Sequence, residues 1–104
     1  MDVFEALADP RRRQVVQLLS SRPHRAGELA DAAGLSAPAM SRHLKTLLDA
    51  GIVEDERIHD DARFRVFKLR PQSLVAVQAF LDQLQAEWDV QLSAFKQHVE
   101  AKKR

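Results

Sequence analysis

The chain has 104 residues, 45% of them hydrophobic and 30% charged, which is enough for one domain with a modest core over residues 1–104. It contains no cysteine, so disulfides, zinc–thiolate sites and thiol catalysis are excluded. The formal net charge is only +1, so nucleic-acid binding would have to rest on the local distribution of charge. The sequence has neither a signal peptide pattern nor an apolar run of membrane-spanning length, so we expect a cytoplasmic protein with no membrane partner.

Two helices are predicted in the first 22 residues. Residues 3–8, VFEALA, form a short apolar helix. Asp9 suits the N-cap and Pro10 the first position of a second helix, RRRQVVQLLSSR, whose valines and leucines have core spacing. The three arginines lie in its first turn, where the helix dipole disfavours positive charge. We predict that they are either solvated or in contact with phosphate.

Residues 26–50 have the pattern of two short helices joined by a tight turn. The first helix, AGELADAA, carries Leu29, Ala30 and Ala33 on its inward face, and Gly34 ends it. Small residues therefore lie where the two helices would cross. This arrangement predicts a helix-turn-helix, with an ordinary helical corner as the alternative.

The second of these helices has an apolar face and an opposite face that is small at its start and basic further on. Ser36 suits an N-cap, Pro38 is tolerated in the first turn, and Gly51 suits a left-handed C-terminal position. The apolar stripe comprises Met40, Leu44, Leu47 and Leu48. The opposite face centres on Arg42 and also includes Pro38, Ala39, Lys45 and Thr46.

A β-hairpin is predicted over residues 52–70. The runs IVEDERIH and RFRVFKLR are rich in β-branched and aromatic residues, and Asp-Asp-Ala separates them. Phe64 and Val66 share one parity whereas Phe67 and Leu69 share the other, so the buried face stays open and a bulge is possible. Acidic residues of the first strand would pair with basic residues across the hairpin, which would compensate part of their charge.

A long helix is predicted over residues 72–101, with an apolar stripe of nearly heptad spacing. Such a helix is about 45 Å long, more than a small domain covers along one side. We therefore expect the stripe to form a dimer interface, although it could instead fold back as intramolecular core. The stripe comprises Val77, Leu81, Leu84, Trp88, Leu92, Phe95 and Val99. The predicted interface comprises Leu81, Leu84, Trp88, Leu92 and Phe95, with Phe4 and Leu7 of the first helix packed near it.

The segments ALADPRRRQVVQLL, AGELADAAGLSAPAMSRHLKTLLDAGIV and RVFKL occur in order over nearly the whole chain. Together they resemble the ArsR-type winged helix-turn-helix transcriptional repressors. The tail FLDQLQAEWDVQLSAFKQHVE is similar to the branch whose last helix carries a tryptophan-containing dimer segment. The resemblance implies a mainly α fold with a β-hairpin wing and a homodimer. It also implies that residues 36–48 of each subunit enter successive major grooves of a double-stranded DNA operator with an inverted repeat.

The DNA-binding residues follow from the outward face of the second helix and from this resemblance. Arg42 is long enough to reach guanine O6 and N7, and Lys45 suits phosphate. Arg63 and Arg65 are the candidates in the wing. The predicted set is Ser36, Ala37, Pro38, Ala39, Ser41, Arg42, His43, Lys45, Thr46, Arg63 and Arg65.

Metal sensing is common among the proteins that this chain resembles, but their ligands are missing here. The cysteine-based site of the family would fall within residues 26–33, which contain no cysteine. The last helix offers only His98, with Glu100 about 200° away around the helix. We expect no metal and no cofactor, and the sequence identifies no small-molecule inducer.

The remaining histidines have ordinary expected roles, and no enzymatic activity is predicted. His43 is expected to be packed or in contact with phosphate, and His24 and His59 to be solvated unless either contacts phosphate. Ser41 and His43 are two residues apart on a helix and do not face each other, so they cannot form a nucleophile–base pair. The alternative to DNA binding is a winged-helix module for protein or RNA interaction, which would be favoured if the acidic hairpin were the contact surface.

Overall fold

The computed structural model describes residues 2–58 and 65–103, which are mainly helical with one β-hairpin. This confirms the predicted fold class. The contacts form two compact units, Met1–Ser73 and Leu74–Arg104. The elements, in chain order, are α1 (Val3–Leu7), α2 (Pro10–Leu19), α3 (Ala26–Ala33), α4 (Ala37–Asp49), β1 (Val53–Arg57), β2 (Arg65–Leu69) and α5 (Pro71–Lys102).

The start of α2 is fixed by local chemistry, as predicted. Asp9 has an extended backbone, and its Oδ1 accepts hydrogen bonds from the backbone N–H groups of Arg11 (2.7 Å) and Arg12 (3.4 Å). Pro10 follows at the first helical position, where no hydrogen-bond donor is required. Two of the donors that a helix N-terminus leaves without an intrahelical partner are thereby satisfied.

The arginines at the start of α2 have a role that neither predicted alternative described. Arg12 Nε donates to Ala6 O (2.6 Å), and Arg13 Nη1 donates to Leu7 O and Ala8 O, both at 2.9 Å. Arg11 Nη1 donates to Ala33 O at the last residue of α3. Carbonyl groups at helix C-termini lack intrahelical partners and carry partial negative charge, so guanidinium donors stabilise them. The arginines therefore hold the C-terminal ends of α1 and α3.

The core of the first unit lies between its helices and the hairpin. Side chains from α1, α2, α3, α4, the hairpin and the residue preceding β1 contribute to it. The buried residues are Ala6, Val15, Leu19, Leu29, Ala30, Ala33, Met40, Leu44, Leu47, Ile52, Val53 and Phe67. The predicted inward faces of α3 and α4 are confirmed, with Leu48 partly buried against this core.

Gly34 makes the turn between α3 and α4, as predicted. Its φ of 67° lies in the left-handed region, which glycine adopts without a Cβ penalty. The backbone N–H of Leu35 then donates to Ala30 O (2.9 Å), which closes the end of α3. Gly51 has a φ of 74° directly after α4, so the exit of that helix is also of the predicted kind.

The strand register and the burial of the paired residues show which face of the hairpin is turned inward. β1 and β2 pair antiparallel from Val53–Leu69 to Arg57–Arg65 without a bulge in the described strands. Val53 is opposite Leu69, and Leu69 shares a face of the hairpin with Phe67, two residues earlier in β2. Val53 and Phe67 are both buried, so this face is turned toward the core. The parity of Phe67 and Leu69 is therefore the buried one. Phe64 lies outside the described residues.

The prediction that His24 is solvated unless it contacts phosphate is wrong. The residue is 8% exposed, and its backbone pairs with Phe67 through two hydrogen bonds of 3.1 and 2.8 Å. Its ring Nδ1 lies 2.8 Å from Arg22 O. The segment before α3 thus forms a β-bridge with β2, and the ring is enclosed because that backbone pairing places it against the core.

The second unit is the long helix α5 from Leu74 onward. The whole helix has 32 residues and is about 48 Å long. None of its residues is buried in the single chain. The stripe residues Leu81 (46%), Trp88 (59%) and Phe95 (66%) are exposed, and Val77 and Val99 are partly buried. The apolar stripe is therefore open to solvent in the single chain.

Candidate nucleic-acid interface

Helix α4 is fixed at its start and buried along one side. Ser36 is the N-cap, and its Oγ accepts a hydrogen bond from Ala39 N (3.3 Å). The fully buried Met40 and Leu47 anchor the inner face. Because that face is buried in the first unit, the direction of the outer face follows from the helical period. A rigid element therefore presents the predicted contact residues.

Arg42 lies at the centre of this outer face and is exposed. No described residue accepts a hydrogen bond from its guanidinium or pairs with it. Its five N–H donors are thus available within the described part of the chain. A guanidinium that is free to donate in parallel can bind guanine O6 and N7 or a phosphate group.

Lys45 is also exposed, but its ammonium has a partner. Lys45 Nζ lies 3.3 Å from Asp49 Oδ2, one helical turn further along α4, and the two side chains are 77% and 59% exposed. Such a pair is weak in water and can be broken by a stronger anion. Asp49 is absent from the set of site residues predicted from the sequence, although its i, i+4 spacing from a residue of opposite charge indicates this pair.

His43 lies on the flank of α4 and is partly buried. Its Nδ1 lies 3.4 Å from Arg12 Nη1, and Arg12 Nη1 lies 3.8 Å from Asp9 Oδ2. Desolvation raises the pKa of Asp9, but the backbone N–H groups of Arg11 and Arg12 and the charges of His43 and Arg12 outweigh it. The pKa of Asp9 is therefore below its ordinary value. The cluster links α4 to the start of α2.

The N-terminal end of α4 is narrow because its residues are small. Ser36, Ala37, Pro38 and Ser41 are exposed, whereas Ala39 and Thr46 are partly buried. Short side chains let a helix end approach another surface closely. Of the predicted residues on this helix, Arg42 and Lys45 are the exposed cations.

The charges of the hairpin are largely paired across its strands, as expected. Arg65 Nε binds Asp55, and Lys68 Nζ lies 3.2 Å from Glu56 Oε2 and 3.8 Å from Glu54 Oε1. The hydrogen bond and charge of Glu56, followed by the charge of Glu54, raise the pKa of Lys68. The acidic residues of β1 are therefore not a free anionic surface. Arg63 lies outside the described residues.

The predicted interface residues occur in both units. Phe4 of α1 is 48% exposed, and Leu7 is partly buried against the core of the first unit. On α5, Leu84 and Leu92 are 37% and 54% exposed, beside the more exposed Trp88 and Phe95. Each patch is apolar and accessible in the single chain.

Potential metal-ligating side chains are not clustered in the part of the chain that the structure describes. Within residues 2–58 and 65–103, no three histidine or carboxylate side chains come together as ligands. His98 is exposed on α5, and His43 faces the guanidinium of Arg12, whose positive charge would repel a cation. The same part of the chain has no helix that combines the length and the apolar character of a membrane span.

Comparison with known proteins places these features in a family. A model of the bacterial regulatory protein arsR family matches residues 9–55. The HTH-type transcriptional regulator Rv2034 of Mycobacterium tuberculosis is 36% identical over 98 residues, 94% of this chain and 86% of the relative. The chain belongs to the ArsR family of bacterial regulatory proteins. It is a transcriptional regulator with a DNA-binding winged helix-turn-helix, and the family and its curated relatives are regulators and not enzymes.

Further proteins are similar over shorter stretches or in structure. The transcriptional repressor SdpR of Bacillus subtilis is 38% identical over 56 residues, 54% of this chain and 62% of the relative. An ArsR-like transcriptional regulator from Rhodococcus sp. RHA1 has a TM-score of 0.81 at 29% identity and covers 95% of this chain and 88% of its own. A homodimeric winged helix-turn-helix DNA-binding domain from Mycobacterium bovis has a TM-score of 0.63 at 25% identity, covering 82% and 76%.

Proposed function

We propose that this ArsR-family regulator is a cytoplasmic repressor that binds, as a homodimer, an inverted-repeat operator in double-stranded DNA. Helix α4 of each subunit enters the major groove, with Arg42 reading a base pair and Lys45 contacting phosphate. The wing residues Arg63 and Arg65 contact the DNA backbone or minor groove. The observation that carries the proposal is Arg42, an exposed guanidinium without a described partner at the centre of a rigid, narrow helix.

The DNA-binding part of the proposal is supported by the chemistry of α4. Bidentate donation from arginine to guanine is the commonest specific contact in the major groove. The small residues at the N-terminal end of α4 permit the close approach that such a contact needs. Ser36 and the other predicted residues of α4 then contact base edges in the major groove or the adjacent phosphates.

The homodimer is supported by the exposed stripe of α5. Leu81, Leu84, Trp88, Leu92 and Phe95 all face solvent in the single chain, and a continuous apolar patch of this kind marks an interaction surface. A similar domain from Mycobacterium bovis is described as homodimeric, and a relative from Bacillus subtilis is named a repressor. A two-fold dimer should read half-sites about one helical turn apart or a multiple of it.

The test is a gel-shift titration of operator and scrambled DNA across a range of salt concentrations, after genomic pull-down has identified the operator. We expect Arg42→Ala to cost about 1–3 kcal/mol on the operator and to relax the preference at one base pair per half-site. Lys45→Ala should weaken both DNAs alike and reduce the salt slope by about one per subunit.

Two outcomes would contradict the proposal. Equal losses on both DNAs for Arg42→Ala would remove base reading from this residue. Undiminished binding by both variants would favour the module for protein or RNA interaction. Circular dichroism of each variant serves as the control for folding, because both side chains are exposed and neither belongs to the core.

A further inference from the structure

An open cavity of about 630 Å³ lies within the first unit, between the start of α3, one flank of α4 and strand β2. Its floor is apolar and includes Leu44, Leu48 and Phe67. Leu44 and Phe67 are core residues that are 2% and 4% exposed, so the floor is held in place by the packing beneath it. The volume is in the range of sites for small organic ligands.

The rim of this cavity is basic. Arg25 at the N-cap of α3, Lys45 of α4 and Arg65 of β2 surround the apolar floor. Glu28 is the acidic residue among the lining side chains. Its carboxylate accepts hydrogen bonds from the backbone N–H of Arg25 and from Arg22 Nη2, both at 3.1 Å. Those two partners, in that order, hold the pKa of Glu28 below its ordinary value. Three cations therefore face one carboxylate that is already paired.

Two of the rim cations keep donors for a ligand. Arg65 binds Asp55 through Nε, and no described residue accepts from its other guanidinium nitrogens. Lys45 donates to Asp49 in an exposed pair, which an anion in the cavity can replace. Asp49 and Asp55 do not themselves line the cavity, so the charged side chains of the lining are three cations and Glu28.

We propose that this cavity binds an amphipathic organic anion, whose apolar body covers Leu44, Leu48 and Phe67 and whose acid group is held by Arg25, Lys45 and Arg65. A phosphate group of DNA would satisfy the cations but would make no contact with the apolar part of the lining, so the cavity suits a ligand with both parts. Binding of this anion needs only the first unit. Its consequence rests on the proposed function, because a ligand that engages Lys45 removes a contact to DNA phosphate and so opposes DNA binding.

The binding step is tested on DNA-free protein with octanoate as the probe and with octan-1-ol and octylammonium as matched comparisons. Amide shifts of ¹⁵N-labelled protein should saturate with octanoate and should be confined to residues around 25–28, 41–48 and 65–67. Octan-1-ol should bind at least about tenfold more weakly, since it lacks the charge that the rim recognises, and octylammonium should not bind at this site. Shifts spread over α5 instead, or no saturable shift, would overturn the proposal.

Gly27 provides a variant in the lining of the cavity that leaves the proposed DNA contacts unchanged. It lines the cavity, and a Cβ added to it would meet nothing within 4 Å, so a larger side chain is accommodated there. Gly27→Leu should abolish octanoate binding, whereas the control Gly27→Ala should retain it with an equal or higher melting temperature. Unchanged binding in a folded Gly27→Leu protein would overturn the proposal.

A charge variant keeps the test decisive if Gly27→Leu fails to fold. Arg25→Gln should lower octanoate affinity about tenfold and leave octan-1-ol affinity unchanged, and Arg25→Lys should restore most of the loss. Equal effects on both probes would overturn the assigned role of the rim.

The competition between ligand and DNA has its own test. Octanoate should displace operator DNA from wild-type protein and not from Gly27→Leu. If octanoate fails to displace DNA from the wild type, the proposal that the ligand opposes DNA binding is refuted. A protein that binds octanoate but no DNA would refute the proposed function and leave the cavity site standing.

Discussion

The exposed face of α4 carries two cations, only one of which is paired with a described residue. Arg42 has no described partner, whereas Lys45 is paired with Asp49 at 3.3 Å. In the proposed complex, Lys45 would exchange Asp49 for a phosphate group, and Asp49 would remain as a negative charge near the DNA. We therefore expect Asp49 to lower the affinity for all DNA sequences without affecting the choice among them.

Replacing Asp49 should accordingly strengthen DNA binding without changing specificity. We expect Asp49→Asn to raise affinity for operator and scrambled DNA alike, by about twofold per subunit at low salt, since an exposed i, i+4 pair is worth about 0.3–0.5 kcal/mol. Gel-shift titration measures the effect. Asp49→Glu, which keeps the charge and the spacing, is the matched control, and a gain confined to the operator would contradict this account.

Residues whose role is set by near neighbours could be predicted from the sequence, and residues with distant partners could not. Ser36, Gly34 and Gly51 act within their own turn, so the sequence contains all of their chemistry. His24 is buried because it pairs with Phe67, more than forty positions away in the chain. Arg12 approaches His43 of another helix, and no local pattern in the sequence indicates that contact.

At the scale of elements, the existence and type of each helix and strand were predictable, but the buried face of the hairpin was not. Val66 and Phe67 are adjacent and both apolar, so the alternation in β2 permits either orientation. The choice is made by packing, because Phe67 meets the core while Val66 stays partly exposed on the side of Lys68. Periodicity within one strand carries no information about that packing.

The stability that the N-cap of α2 contributes to the fold should depend on pH. The pKa of Asp9 is lowered in the folded protein, so its charge stabilises the fold above its unfolded pKa, and that contribution is lost as the pH falls through the folded value. Asp9→Ala should cost about 0.5–2 kcal/mol at neutral pH because the cap is removed.

Asp9→Asn separates the cap from the charge. Asparagine caps as well as aspartate does, so this variant should keep most of the stability. The gap between wild type and Asp9→Asn should be largest at neutral pH and should close below about pH 4. Urea unfolding at several pH values measures the gap. A gap that widens toward acid would show that the pKa of Asp9 is raised in the folded protein.

For the whole molecule, the apolar stripe of α5 predicts the assembly. Burying one aromatic side chain is worth roughly 1.5–3 kcal/mol, so Trp88→Ala should weaken dimerisation by about tenfold or more. Sedimentation equilibrium measures the change. Val90→Ala is the matched control, because Val90 is 70% exposed on the opposite side of the same helix. A wild-type protein that is monomeric at micromolar concentration would contradict the proposed interface.

The absence of thiols predicts how DNA binding responds to metals. The chain has no cysteine and only four histidines, so we expect no stoichiometric site for zinc, nickel or arsenite. DNA affinity measured by gel shift should be the same with and without a chelator. Release of the operator at one or two metal equivalents per dimer would contradict this prediction.

The open stripe on α5 also has a consequence for how the regulator responds to its own abundance. If only the dimer engages both half-sites, occupancy of the operator rises with the square of the monomer concentration as long as the monomer predominates. A modest change in synthesis or degradation then becomes a larger change in promoter output. A regulator that works without a metal sensor, as we expect of this one, would thereby obtain a concentration threshold for repression. The affinity of α5 for its copy in the second subunit would set that threshold.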